Sequence, residues 1–161
     1  MRKPVPKQAF LASVLFAATA LIATMSHADA KQIYSDTADA HAEIQSALTT
    51  AALEHKRVIL DFGGNWCGDC QVLDLYFHDP VNAGLLNANF VLVHVNIGHY
   101  DLNTDLAAKY EVPLKKGVPG LAVLDAQGHV IYSQKNGEFE SMRKMESSTV
   151  TEFLNKWKPK S

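Results

Sequence analysis

The apolar positions change period several times along the chain, and each change marks an element. Between Asp36 and His55 the residues Ile44, Leu48, Ala51 and Ala52 recur at the spacing of one helix face, and Ser35, Asp36 or Thr37 can cap the start. A short strand around Ile33 is expected ahead of this helix. Val58 to Phe62 is a β-branched run of strand length that Gly63-Gly64 interrupts. From Cys67 the pattern is helical again, with Val72, Leu73, Tyr76 and Phe77 on one face. Asp79-Pro80 then supplies a cap followed by proline at a first helical position, so Val81 to Leu86 resumes as a short helix, kinked or separate.

Phe90 to Ile97 is nearly continuous in apolar residues, which predicts a strand central in a sheet and covered on both faces. Asn103 caps a short helix through Tyr110, ended by Val112-Pro113. Gly120 to Leu124 and His129 to Ser133 read as strands, and the brevity of Asp125-Ala126-Gln127-Gly128 between them predicts an antiparallel hairpin. The final helix runs from about Ser148 to Lys158 with Val150, Phe153, Leu154 and Trp157 inward. Gln134 to Ser147 is polar, carries both charge signs, and reads as a loop or frayed helix start without a chemical signal. No internal repeat or low-complexity tract is seen.

The first 30 residues follow a different pattern. Arg2, Lys3 and Lys7 make a basic start, Ala9 to Met25 is uncharged and mostly apolar, and Ala28-Asp29-Ala30 offers a small-x-small cleavage site. The expected organisation is an export signal over 1–30, with an uncleaved anchor as the alternative, and one domain over 31–161. The protein is then expected in the periplasm or otherwise outside the cytoplasm. No cysteine lies near the cleavage site to carry a lipid. Without those residues the chain has 12 Lys and Arg against 16 Asp and Glu, a formal charge of −4, which gives no sign of a nucleic-acid partner. A chain of this length builds a core without disulfide staples.

That bears on the cysteines, because the chain has only two and both lie in Asn65-Trp66-Cys67-Gly68-Asp69-Cys70. A bridge between them closes almost no loop and so adds little to stability. Redox chemistry is the favoured reading; a structural bridge and a thiolate metal site stay open. With Cys67 at a helix N-terminus, unpaired N–H groups and the helix dipole favour its thiolate, and Cys70 one turn on can resolve a mixed disulfide.

The order of elements, the Asp61-Phe62 strand ahead of Trp66-Cys67-Gly68-x-Cys70, and Gly117-Val118-Pro119 just before a strand together resemble the thioredoxin family over nearly the whole chain after residue 30. The resemblance implies an α/β fold, a three-layer α/β/α sandwich around a central mixed sheet. It implies a cis proline at Pro119 beside Cys67, and a Val118 backbone able to pair with an extended substrate chain. It also implies that Cys67 attacks a partner disulfide, that Cys70 resolves the product, and that buried Asp61 takes the Cys70 proton; capping a loop is the other reading of Asp61. His94 occupies a position where the family often has a lysine near the aspartate, and it either pairs with Asp61 or simply packs. Trp66 either shields the disulfide and offers partners an apolar surface or packs against the domain.

Gly68 and Asp69 fill the place between the cysteines, where thioredoxin itself usually carries Gly-Pro. A lone Asp69 charge about 6–8 Å from the Cys67 sulfur disfavours its thiolate by on the order of 1 kcal/mol. That moves the couple toward reductant by up to roughly 20–30 mV. His78, His99 and His129 have no spacing that suggests a metal site. The function expected is that of an exported thiol–disulfide oxidoreductase, monomeric, acting on proteins with disulfides or thiols, with the Cys67–Cys70 pair as its redox group and no further cofactor. A reducing role would call for a membrane electron donor. A Cu(I)-type thiolate carrier and a non-catalytic adaptor are the alternatives.

Overall fold

Five helices and four strands alternate through residues 31–160, the part of the chain that the computed structural model describes. In order they are α1 (Ala40–Glu54), β1 (Arg57–Gly63), α2 (Gly68–Phe77), α3 (Pro80–Asn89), β2 (Phe90–Asn96), α4 (Thr104–Lys109), β3 (Gly120–Leu124), β4 (Val130–Ser133) and α5 (Ser147–Trp157). The expected export signal or anchor lies outside the described residues. Among those described, no helix is long and apolar enough to cross a membrane.

The strands form one mixed sheet in the order β2-β1-β3-β4. β1 pairs with β2 in parallel, so Asp61 lies opposite His94, and it pairs antiparallel with β3, so Phe62 lies opposite Gly120. β3 and β4 form the antiparallel hairpin that the short link predicts. Alternation along β1 sends Val58, Leu60 and Phe62 into a core with α1 and α4, and Ile59 into a second core with α2, α3 and α5. The result is the three-layer sandwich expected.

Five sequence expectations change. β2 is an edge strand rather than a central one, because its apolar run reports the covering of its faces by α1 and α3, not pairing on both sides. No strand forms around Ile33; the N–H groups of Ile33 and Tyr34 donate to Asn65 Oδ1 at 2.8 and 3.0 Å instead. α1 is capped by Asp39, which accepts from His41 and Ala42 N–H, while Ser35 closes a turn further out. Its inward face uses Ala40 and Ala47 in place of Ala52, which is exposed. The stretch from Gln134 to Ser147 is anchored by Phe139 and Met142, both buried in the second core. Asp79-Pro80 does start a separate helix, and Asp79 Oδ1 accepts from Val81 N–H.

Candidate active site

The site is assembled where β1 ends. Gly63-Gly64 lets the chain leave the sheet, and Cys67 becomes the N-cap of α2 in extended backbone. Cys70 N–H donates to Cys67 Sγ at 3.1 Å, so the cysteine sulfur fills the role a serine or aspartate oxygen takes at other helix starts. Cys67 and Cys70 are joined in a disulfide with their Cα atoms 5.2 Å apart. Both are buried, Cys70 completely. The peptide between Val118 and Pro119 is cis, and the Val118 carbonyl oxygen lies 3.6 Å from Cys67 Sγ. That is a packing contact, since a disulfide sulfur carries no hydrogen.

Asp61 is fully buried on β1. Its Oδ2 accepts from the Tyr34 hydroxyl at 2.8 Å and from His94 Nδ1 at 2.9 Å. Its Oδ1 is buried with no hydrogen-bond partner among the described residues. Oδ2 of the buried carboxylate thus holds two donors while Oδ1 holds none. Burial works against a charged His94, but its hydrogen bond to Asp61, the Asp61 charge and that of Asp74 outweigh it, so the imidazole pKa is raised. Asp74, on α2 one turn after Cys70, is buried too; Lys31 Nζ reaches its Oδ2 at 2.7 Å, and His94 Nε2 lies 3.9 Å from its Oδ1.

Asp69 is not the lone charge that the spacing suggested. Arg143 binds it through three contacts, with its backbone N–H on Oδ1 at 2.9 Å and Nε and Nη2 on Oδ2 at 3.2 and 3.0 Å. Burial tends to raise the Asp69 pKa, but those hydrogen bonds and the charges of Arg143 and Lys144 hold it below the usual carboxylate value. The guanidinium also packs over Gly68, where an added Cβ would stand 3.6 Å from Arg143 Cζ. The field at Cys67 is that of a pair, so the reductant shift derived for an unpaired Asp69 is largely cancelled.

Trp66 is 47 % exposed; its Nε1–H donates to Gly98 O at 2.7 Å and its ring stacks on His99. An open groove of about 960 Å³, lined by Tyr100, Val112, Leu114 and Gly117 among others, begins beside the Val118-Pro119 segment. Gln134 holds that segment from behind, donating from Nε2 to Pro119 O at 3.1 Å and accepting from Leu121 N–H at 3.3 Å.

The structure therefore gathers Cys67, Gly68, Asp69, Cys70, Trp66, Val118 and Pro119 around the disulfide, where the cysteines, Val118 and Pro119 are buried, and it pairs Asp61 with His94. Four residues that the sequence reading passed over belong to the same place: Tyr34, Asn65, Asp74 and Arg143. Asp74 was within reach, since a carboxylate four residues after Cys70 on a buried helix face is a signal. Arg143 and Tyr34 arrive from distant segments, and no local spacing marks them.

A dithiol pair at a helix N-terminus, faced by a cis proline and underlain by a buried carboxylate, defines the class of thiol–disulfide oxidoreductase domains. The chain belongs to the thioredoxin-like family, whose model matches residues 39–126. It is 33 % identical to a disulphide isomerase of Xylella fastidiosa Temecula1, whose structure superposes with a TM-score of 0.75 over 78 % of this chain and 96 % of that one. Rat (Rattus norvegicus) thioredoxin is 32 % identical over 104 residues, 64 % of this chain and 85 % of its own length. The thiol:disulfide interchange protein DsbD of Vibrio vulnificus is 33 % identical over 91 residues, 55 % of this chain, and the match spans only 15 % of that much longer protein.

Proposed function

We propose that this chain is an exported thiol–disulfide oxidoreductase that reduces or exchanges disulfides of partner proteins through Cys67 and Cys70. One observation carries the reading: a disulfide whose first sulfur caps α2 and touches the Val118 carbonyl, above a buried carboxylate with one oxygen free. In the reduced protein the Cys67 thiolate attacks a partner disulfide. A Cys67–partner bond forms, and the partner's other sulfur leaves as a thiolate. Cys70 then loses its proton toward Asp61 and attacks Cys67 Sγ, closing the bridge and expelling the second partner thiolate. Two electrons pass to the partner, and the protein ends as the disulfide seen.

The remaining roles follow from position. The helix N-terminus stabilises the Cys67 thiolate. Val118 supplies backbone to a substrate strand, and Trp66 with the adjoining groove supplies apolar surface. His94 holds Asp61 Oδ2, and Arg143, packed over Gly68, offsets the Asp69 charge near Cys67. The bridge itself is the redox group. Proteins with disulfides or thiols are the partners, a membrane donor supplies electrons where the chain works as a reductant, and the domain acts as a monomer. Residues 1–30 carry the export signal, and a secreted form beginning at Lys31 by mass would test that.

The deciding experiment is the equilibrium reduction potential, titrated against glutathione or dithiothreitol with Trp66 fluorescence as readout. A reversible two-electron couple that Cys70→Ser abolishes is expected. Absence of such a couple leaves the adaptor reading. A Cu(I) carrier would instead retain metal through purification and lose it in Cys70→Ser.

A further inference from the structure

Cys70, Asp61 and Tyr34 are all fully buried. The side chain that Gly63 lacks leaves a gap beside Tyr34 and Cys70. A Cβ built there would overlap the Tyr34 hydroxyl and lie 2.8 Å from Cys70 Sγ, so the hydroxyl and the sulfur border the same gap. The hydroxyl is already hydrogen bonded to Asp61 Oδ2.

Tyr34 is delivered to this place by a strap, residues 31–34, that is fastened at several points. Lys31 Nζ binds Asp74, Gln71 Nε2 donates to Lys31 O at 2.9 Å, and Asn65 takes the N–H groups of Ile33 and Tyr34 while its Nδ2 donates to Tyr34 O. Besides Asp61 on β1, the charged groups around the ring are His94 on β2, edge-on at 5.3 Å between centroids, Asp74 on α2, and Lys31 in the strap itself.

We propose that Tyr34 is the proton relay between Cys70 and Asp61. As Cys70 attacks the mixed disulfide, its S–H proton passes to the Tyr34 oxygen, and the Tyr34 proton passes to the Asp61 carboxylate. The Cys70–Cys67 bond forms, the Cys67–partner bond breaks, and the partner sulfur leaves with the electron pair. Tyr34 is unchanged at the end and Asp61 is protonated. Burial, the Asp61 charge and hydrogen bond, and the Asp74 charge all push the phenol pKa well above its usual value, so the group stays protonated at rest and gives up its proton only as it receives another. This inference rests on the oxidoreductase reading and assigns the path of its proton.

The test uses the reduced protein and the chromogenic disulfide dithiobis(nitrobenzoate), followed by stopped-flow absorbance from acid to alkaline pH. Attack by Cys67 releases one thionitrobenzoate in a second-order phase, and resolution by Cys70 releases the other in a first-order phase. Release of one equivalent only would remove the dithiol reading itself, whatever Tyr34 does. With the wild type giving two, Tyr34→Phe is expected to keep the first phase and slow the second on the order of tenfold near neutral pH. The deficit closes as hydroxide takes the proton directly. Asp61→Asn and the double variant are expected to be equally slow, since both remove one path. A second phase in Tyr34→Phe that matches the wild type at every pH overturns the relay, as does a slowing that does not vary with pH. Should Tyr34→Phe fold poorly, fluorotyrosine at position 34 keeps the shape and makes the phenol more acidic. A shifted second-phase pH profile then supports the relay, and an unmoved one overturns it.

Discussion

The Asp69–Arg143 pair shows how far one contact can change the meaning of a residue. Taken alone, an aspartate between the cysteines disfavours the Cys67 thiolate; clamped by a guanidinium, it contributes little net field. Arg143→Ala should free the carboxylate, raise the Cys67 pKa and move the couple negative by up to roughly 20–30 mV. Asp69→Asn should do the reverse by leaving Arg143 over the helix N-terminus, and the double variant should return near the wild-type potential. Potentials of the four proteins in one glutathione buffer check this, and single-variant shifts of the same sign, or a double variant that keeps either shift in full, would mean that the two charges do not offset each other at Cys67. His94 offers a second titration. Its folded pKa is raised, so protonation favours the folded state: the contribution is complete below the unfolded value of about 6.5 and is lost as pH rises through the higher folded value. His94→Gln should remove that alkaline decline from the curve of thermal stability against pH, and a decline that persists would assign it elsewhere.

At the scale of elements, most of the pattern was legible because helix and strand periods are local. α2, α3 and the β3–β4 hairpin carry their own caps, proline and turn, and they start within a residue or two of where those signals fall, although α3 runs on to Asn89, past the expected end at Leu86. The failures came where local pattern had two physical meanings. A continuous apolar run marks a strand with both faces covered, yet β2 meets that condition at an edge. Several polar residues precede α1, and only Asp39 is placed to accept from its first turn. Asp39→Ala should therefore cost about 1 kcal/mol, and Ser35→Ala less, as measured by denaturant unfolding. At the end of β1, Gly63→Ala forces a methyl against Tyr34 and Cys70. It should cost about 1–3 kcal/mol although the backbone there is ordinary strand.

Over the whole molecule, the candidate site draws on both ends of the domain. The cysteines, Asp61 and Pro119 were readable because they sit in short motifs with fixed spacing. Tyr34 and Arg143 were not, since they reach the site only once the two cores have closed around the sheet. Arg143 depends on Phe139 and Met142, which pin its segment into the core shared by α2 and α5. Phe139→Ala should then cost about 3–5 kcal/mol by unfolding. In the folded fraction it should also move the potential in the direction of Arg143→Ala, so that a distant packing defect reads out at the dithiol. The strap at the other end is held differently. Asn65 receives two backbone N–H groups and returns one of its own, so a single side-chain amide stands in for the neighbouring strand that the Ile33 segment lacks. A seam made by one residue opens as a unit: the Ile33 and Tyr34 amides should exchange with deuterium at one common rate, and Asn65→Ala should hasten both while β1 stays protected. Hydrogen exchange at two amides would then serve as a gauge of whether the chemistry below them is sealed or open to water.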